Sequence, residues 1–153
     1  MNMSLHAIEV LSKHKNIYGI KEASGNISYS SKVGKFIGPN FHMYSGNDDI
    51  IVPMMSIGCD GVISVLANIA PRQTAKICKL CFEGKYNEAN EIQRDLLDTI
   101  NDLFIEVNPI PVKEAMNHLG FKVGGYRMPL DYMSDKNREI LFNELDLKKE
   151  SIF

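Results

Sequence analysis

The chain has 153 residues, 44% of them hydrophobic and 24% charged, with a formal net charge of −2. That length suits one domain or part of a larger one, and the composition argues against intrinsic disorder. No global basic field is present to draw nucleic acid or an acidic membrane, and no apolar run approaches the ~20 residues that span a bilayer.

The N-terminus, Met1 to His6, lacks the charged flank and apolar stretch of a secretion signal, so a cytoplasmic protein is expected. Ser4 reads as the N-cap of a helix carrying Leu5, Ile8 and Leu11 on one side. Lys13-His14-Lys15 would close that helix, with cations complementing its dipole. Ile17 to Glu22 reads as a strand. Alternation puts Ile17, Gly19 and Lys21 on one face and Tyr18, Ile20 and Glu22 on the other. Gly19 beside Lys21 leaves space for a ligand. Lys21 stands where the apolar run breaks into Ser24, Gly25 and Asn26. Most strand-end lysines reach back to water along their stems. A desolvated one is instead held neutral and nucleophilic, and forms a Schiff base with a carbonyl compound.

A helix around Ile27 to Phe36 follows and stops at Gly38-Pro39-Asn40. Phe41 to Ser45 is a second strand, leading into the polar corner Gly46-Asn47-Asp48-Asp49. Asn47 or Asp48 is expected to cap a helix from Ile50 to Ile57. Such corners are also where barrels place their chemistry. After the turn Gly58 to Gly61, Val62 to Val65 is a third strand, and Pro71 opens a helix that runs to Phe82. Strands separated by helices pair in parallel through right-handed crossovers, which gives an α/β sheet or barrel.

Cys78 and Cys81 form a C-x-x-C, but no second pair follows and His118 is far downstream. They share a helical pattern with Ala75, Leu80 and Phe82, where cysteine acts as a small hydrophobe. The odd total of three fits reduced thiols. No metal site and no cofactor is expected, and the glycine motifs that cradle nucleotide phosphates are absent.

From Gly84 the pattern is helical. Ala89, Ile92, Gln93, Leu96, Leu97, Ile100, Leu103 and Phe104 predict one long amphipathic helix. Asn108-Pro109-Ile110-Pro111 interrupts it. A shorter helix with Val112, Ala115, Met116 and Leu119 then ends at Gly120. Gly124 to Leu130 is a connector, and Ser134 or Asp135 caps a last helix through Leu145. The expected division is 1–83 for the strand-bearing part and 84–153 for a helical tail.

Four blocks, in this order and spacing, resemble the second half of the dihydrodipicolinate synthase (4-hydroxy-tetrahydrodipicolinate synthase) family. They are Gly19-Ile20-Lys21-Glu22-Ala23-Ser24-Gly25-Asn26, Ser45-Gly46-Asn47-Asp48, Gly61 to Asn68, and Asn108-Pro109-Ile110-Pro111-Val112-Lys113. Arg127-Met128-Pro129 extends the likeness to the last helix. The resemblance implies the last three strand-helix units of a (β/α)8 barrel followed by a C-terminal helical domain. It implies a class I aldolase-type lyase that condenses pyruvate with aspartate semialdehyde, on the route to lysine and diaminopimelate. Lys21 matches the lysine that forms the imine with pyruvate. Ile63 matches the residue whose backbone contacts pyruvate, and Gly46 the glycine near the substrate's polar end. The pair after that glycine is Asn47-Asp48, or Asp48-Asp49 with a one-residue shift, which leaves its role open.

Family members are about twice as long. The resemblance places the family's tyrosine relay, its carboxylate-binding loop and its second-substrate arginine ahead of Met1, and no tyrosine here occupies the relay position. It therefore implies a homo-oligomer or a complementing N-terminal chain as partner, with open strand edges and a solvated Lys21 in this chain by itself. Two other readings are a sister pyruvate aldolase such as N-acetylneuraminate lyase, and a non-catalytic remnant or assembly module.

Overall fold

The computed structural model describes residues 3–152. The first helix, α1 (Leu5–Ser12), is capped as expected: the Ser4 side chain accepts from the Ala7 N–H at 3.1 Å. Its C-cap is Lys13, so the cationic triplet lies beyond the last turn and not within it. Lys13 turns back to Glu9 instead, Nζ to Oε1 at 2.9 Å.

Strand β1 (Gly19–Glu22) starts two residues later than the sequence suggests, and Tyr18 before it is exposed, its ring tilted against His42 with centroids 4.4 Å apart. Helix α2 (Ile27–Val33) follows and tightens into a 3-10 turn, Gly34–Phe36. Strand β2 (His42–Ser45) pairs with β1 in parallel, in the register Gly19–His42, Ile20–Met43, Lys21–Tyr44 and Glu22–Ser45. A parallel pair needs a crossover of this length, and α2 supplies it. A 3-10 turn, Asp48–Ile50, then leads into α3 (Ile51–Ser56).

The third strand is reduced to one parallel bridge, Ser45 to Val62. The Ser45 N–H donates to Gly61 at 2.9 Å and the Ile63 N–H to Ser45 at 2.8 Å. Beyond that the ladder stops, because the Val65 and Leu66 N–H groups donate to the Asp48 carboxylate at 2.9 and 3.0 Å. A side chain has taken the bonds that a strand would have given its neighbour. A 3-10 turn (Leu66–Asn68) precedes α4 (Pro71–Phe82), which spans the predicted residues.

The predicted long tail helix is kinked at Leu96 into α5 (Tyr86–Asp95) and α6 (Leu97–Asp102). The kink lets one apolar stripe serve two cores. Ala89 packs in a cluster with Ile8, Val33, Met43, Ile51, Met54 and Ile77 beneath the sheet. Leu96, Ile100 and Leu103 pack in a second cluster with Leu66, Ile69, Ala70, Leu141 and Leu145. Helices α7 (Ile110–His118), α8 (Asp135–Leu147) and the short α9 (Lys149–Ile152) complete the tail. Ser134 occupies the N-cap position of α8, but its hydroxyl donates to Glu106 at 2.6 Å and caps nothing.

Helices cover one face of the sheet, where Met43 and Ser45 are fully buried. The opposite face carries Gly19, Lys21, His42 and Tyr44, and Lys21 there is exposed. Cys78 and Cys81 lie along α4, with Cys81 buried, and burial raises both thiols; Cys59 is pushed up to about 12 by the same cause. These thiols stay protonated at neutral pH, as the hydrophobic reading of the C-x-x-C expects. Among the described residues no group of three or more His, Cys, Asp or Glu could hold a metal ion, and no helix is long and apolar enough to cross a membrane.

Candidate active site

Lys21 is the third residue of β1, on the open face. Its stem leans across the strand pair toward β2. A Cβ built on Gly46 would lie 2.9 Å from Lys21 Cε and 2.5 Å from Ala23 Cβ. Real Cβ contacts are not that short, so a glycine at 46 is what allows the lysine to adopt this course. A groove of about 390 Å³ beside the lysine is lined by Met3, Ile20, Glu22, Ala23, Ser24 and Tyr29.

The loop after Lys21 is held from below. Glu22 is 4% exposed, and its carboxylate accepts from the Ser24 N–H at 2.9 Å and from the Ser30 hydroxyl. A buried carboxylate without such donors would be costly, so the two bonds fix both the loop and the entry of α2. Asn26 caps α2, accepting from the Tyr29 N–H at 3.0 Å.

The same device recurs at the next two strand ends. Ser45, fully buried, accepts from the Asn47 N–H at 3.2 Å and donates to the Asn47 carbonyl at 2.8 Å. Asp48, 2% exposed, is one of the two residues, with Asn47, expected to cap the helix that follows. Its Oδ2 instead holds the Val65 and Leu66 N–H groups, and neither α3 nor the 3-10 turn before it has a side-chain cap. The reason is reach: the buried carboxylate points across to the third segment, where two orphan N–H groups compete successfully for it. Ile63 is thereby held from both sides, by its own bond to Ser45 and by the Asp48 clamp two residues on. Its side chain remains 49% exposed.

Lys21, Gly46 and Ile63 thus come together around the open ends of the strands. Asn47 and Asp48 face elsewhere. They line a separate groove with Ile100, Asn101 and Phe104, and one buried side-chain oxygen of each, Asn47 Oδ1 and Asp48 Oδ1, has no hydrogen-bond partner among the described residues. Strand alternation put Glu22 on the face opposite Lys21, but the sequence carries no signal that Glu22 would be buried or that Ser30, eight residues on, would be its partner.

These features describe an α/β protein with a lysine amine at a strand end on an open sheet face. A sequence model of the dihydrodipicolinate synthetase family matches residues 1–148. The chain belongs to that family. It is 52% identical over 141 residues to the 4-hydroxy-tetrahydrodipicolinate synthase of Caldicellulosiruptor saccharolyticus, covering 92% of this chain and 48% of that protein. It is 45% identical over 152 residues to the synthase of Brachyspira hyodysenteriae, covering 97% and 52%. Among solved structures, the dihydrodipicolinate synthase of Aquifex aeolicus superposes with a TM-score of 0.89 at 37% identity, covering 97% of this chain and 50% of that one. The 4-hydroxy-tetrahydrodipicolinate synthase of Methylacidiphilum fumariolicum SolV gives 0.91 at 35% identity, with the same coverage. The chain spans about half the length of the curated relatives it matches.

Proposed function

We propose that this chain is the Schiff-base-bearing part of a 4-hydroxy-tetrahydrodipicolinate synthase, a cytoplasmic lyase that condenses pyruvate with aspartate semialdehyde. Residues 1–83 then carry the last three strand-helix units of a (β/α)8 barrel, and 84–153 form the helical domain. The observation that carries the reading is the placement of Lys21. It is exposed on the open sheet face, its stem accommodated by Gly46, in a chain half-identical to proteins named for this activity.

In this reading the neutral Lys21 amine attacks the pyruvate carbonyl and water leaves, giving the imine. The iminium then accepts the electron pair released when a methyl proton is removed, and the resulting enamine carbon attacks the aldehyde. Gly46 and the Ile63 backbone bound the site that holds the oxo acid. Asp48 acts through the Val65 and Leu66 backbone it fixes, and Asn47 through its own backbone, which Ser45 holds. β1 has one strand neighbour, so its second edge is open to the remaining strands of the barrel.

Borohydride reduction in the presence of pyruvate tests this. The expected result is a mass adduct on Lys21 when the chain is combined with the N-terminal half of a homologous synthase, and a weaker adduct or none from the chain alone. Absence of the adduct from the combined sample sinks the reading.

Self-association is a second reading, supported by the tail's exposed apolar residues: Phe104 is 45% and Val107 68% exposed. Light scattering that returns a monomer at all concentrations counts against it.

A further inference from the structure

We propose that Tyr44 is the floor of the oxo-acid site and limits the length of the acid that Lys21 can take. The inference rests on the reading of Lys21 as the imine-forming residue. Tyr44 stands directly beside Lys21 in the parallel register and on the same open face. The next residue of that strand on the same face is Gly46, against which the Lys21 stem lies. The lysine therefore leans from β1 toward the residue that follows β2, with Tyr44 as its register neighbour on the same face. On its other side, the Tyr44 ring lies 4.0 Å from the point where a Cβ on Gly61 would sit. Gly61 is its neighbour on the third segment, through the Ser45 N–H bond to the Gly61 carbonyl.

The absent side chain at Gly46 makes room for the Lys21 stem and Ala23, and the absent side chain at Gly61 leaves the flank of the Tyr44 ring open. The oxo-acid site proposed on this face has the Lys21 stem and the backbone at Gly46 on one side and the third segment, with the exposed Ile63, on the other. Its base is a half-buried phenol ring. Side chains in register on adjacent strands are close neighbours on the shared face, so a ring beside the lysine meets whatever the amine binds. A methyl substituent on the imine carbon fits above the ring. Each added carbon is driven into it.

The test compares borohydride trapping with pyruvate, 2-oxobutanoate and 2-oxopentanoate, using this chain combined with the N-terminal half of a homologous synthase. Adducts are mapped to Lys21 by mass. The wild type traps pyruvate in preference to the longer acids. Tyr44→Ala and the less drastic Tyr44→Val shift the ratio of adduct rates toward the longer acids by roughly tenfold or more, the scale of a one- or two-carbon discrimination in a pocket. Tyr44→Phe, which keeps the ring, retains the wild-type ratio. Unchanged ratios in Tyr44→Ala and Tyr44→Val overturn the floor, and so does a Tyr44→Phe shift as large as that of Tyr44→Ala, which would assign the effect to the hydroxyl. A wild type that forms no adduct with any acid overturns the Schiff-base reading itself. A wild type with the adduct but no shift in the variants overturns the floor alone.

Discussion

The strand-bearing part and the helical tail use buried polar groups differently. Beneath and around the strand ends, Glu22, Ser30, Ser45 and Asp48 are all buried, and each makes hydrogen bonds to loop backbone or to another of the set. The core of the tail is built on Leu96, Ile100, Leu103, Leu141 and Leu145, with Thr99 as a buried polar member that donates to Glu144 at 2.8 Å. Apolar packing stabilises but does not aim a loop. A buried carboxylate does aim one, because leaving it unpaired is costly and its partners are few. The region that positions Lys21 and Ile63 buries two carboxylates, Glu22 and Asp48, whereas the buried polar residues of the tail among the described residues, Gln93 and Thr99, are uncharged. Gln93 joins the two: its amide donates to Asp49 and accepts from the Val52 N–H.

The largest expected effect tests the tail. Leu141→Ala, at a fully buried position, is expected to cost about 2–5 kcal/mol in urea unfolding while leaving amide exchange at Val65 and Leu66 tied to the global stability. Asp48→Ala comes next, at about 1–3 kcal/mol for unpaired buried donors. Its signature is local: exchange at Val65 and Leu66 accelerates beyond the global loss, and Asp48→Asn, which keeps an acceptor oxygen, recovers part of it. Equal exchange in the two variants would erase the distinction between packing and aiming.

Gly46→Ala is expected to cost on the order of 1 kcal/mol by overpacking against Ala23 and the Lys21 stem. The Lys21 adduct in borohydride trapping should fall by far more than that destabilisation alone explains. An adduct yield that simply follows stability would remove the steric argument.

The smallest effect concerns the tail's own carboxylate clamp. Glu106 accepts from the Ser134 hydroxyl and backbone and from Asn137, and the Ser134 hydroxyl bond is the main cause holding its carboxyl below the ordinary value of 4.5. A depressed folded-state value contributes stability above pH ~4.5 that is lost as pH falls through the folded-state value. This carboxylate is close to solvent, so the contribution is below about 1 kcal/mol. The stability gap between wild type and Glu106→Gln should therefore narrow between pH 7 and pH 3. A gap that widens on acidification reverses the sign of the argument.

Much of the fold was legible because it follows from local pattern. The Ser4 cap, the start of α4 at Pro71 and the strands around Lys21 and Met43 each rest on a few neighbouring residues. The misreadings that matter for the site and the tail involve distant partners. Asp48 has the right type and position for a cap of its own helix, yet its partners are 17 and 18 residues away. The apolar stripe from Ala89 to Phe104 is continuous in sequence, yet the kink at Leu96 divides it between two cores. In the site, Lys21 and Gly46 were singled out from their family blocks, but the contact between them was not readable from either block.

The amino-acid sequence by itself determined the family, the order of strands and helices, and the candidate lysine, because these depend on residue type and short-range spacing. Only the tertiary structure decided what surrounds that lysine. Gly46 gives its stem room, Tyr44 lies beside it in register, and Glu22 and Asp48 fix the loops on either side. Those relations are set by strand register and by competition for buried hydrogen bonds, which exist only once residues far apart in the chain are brought together.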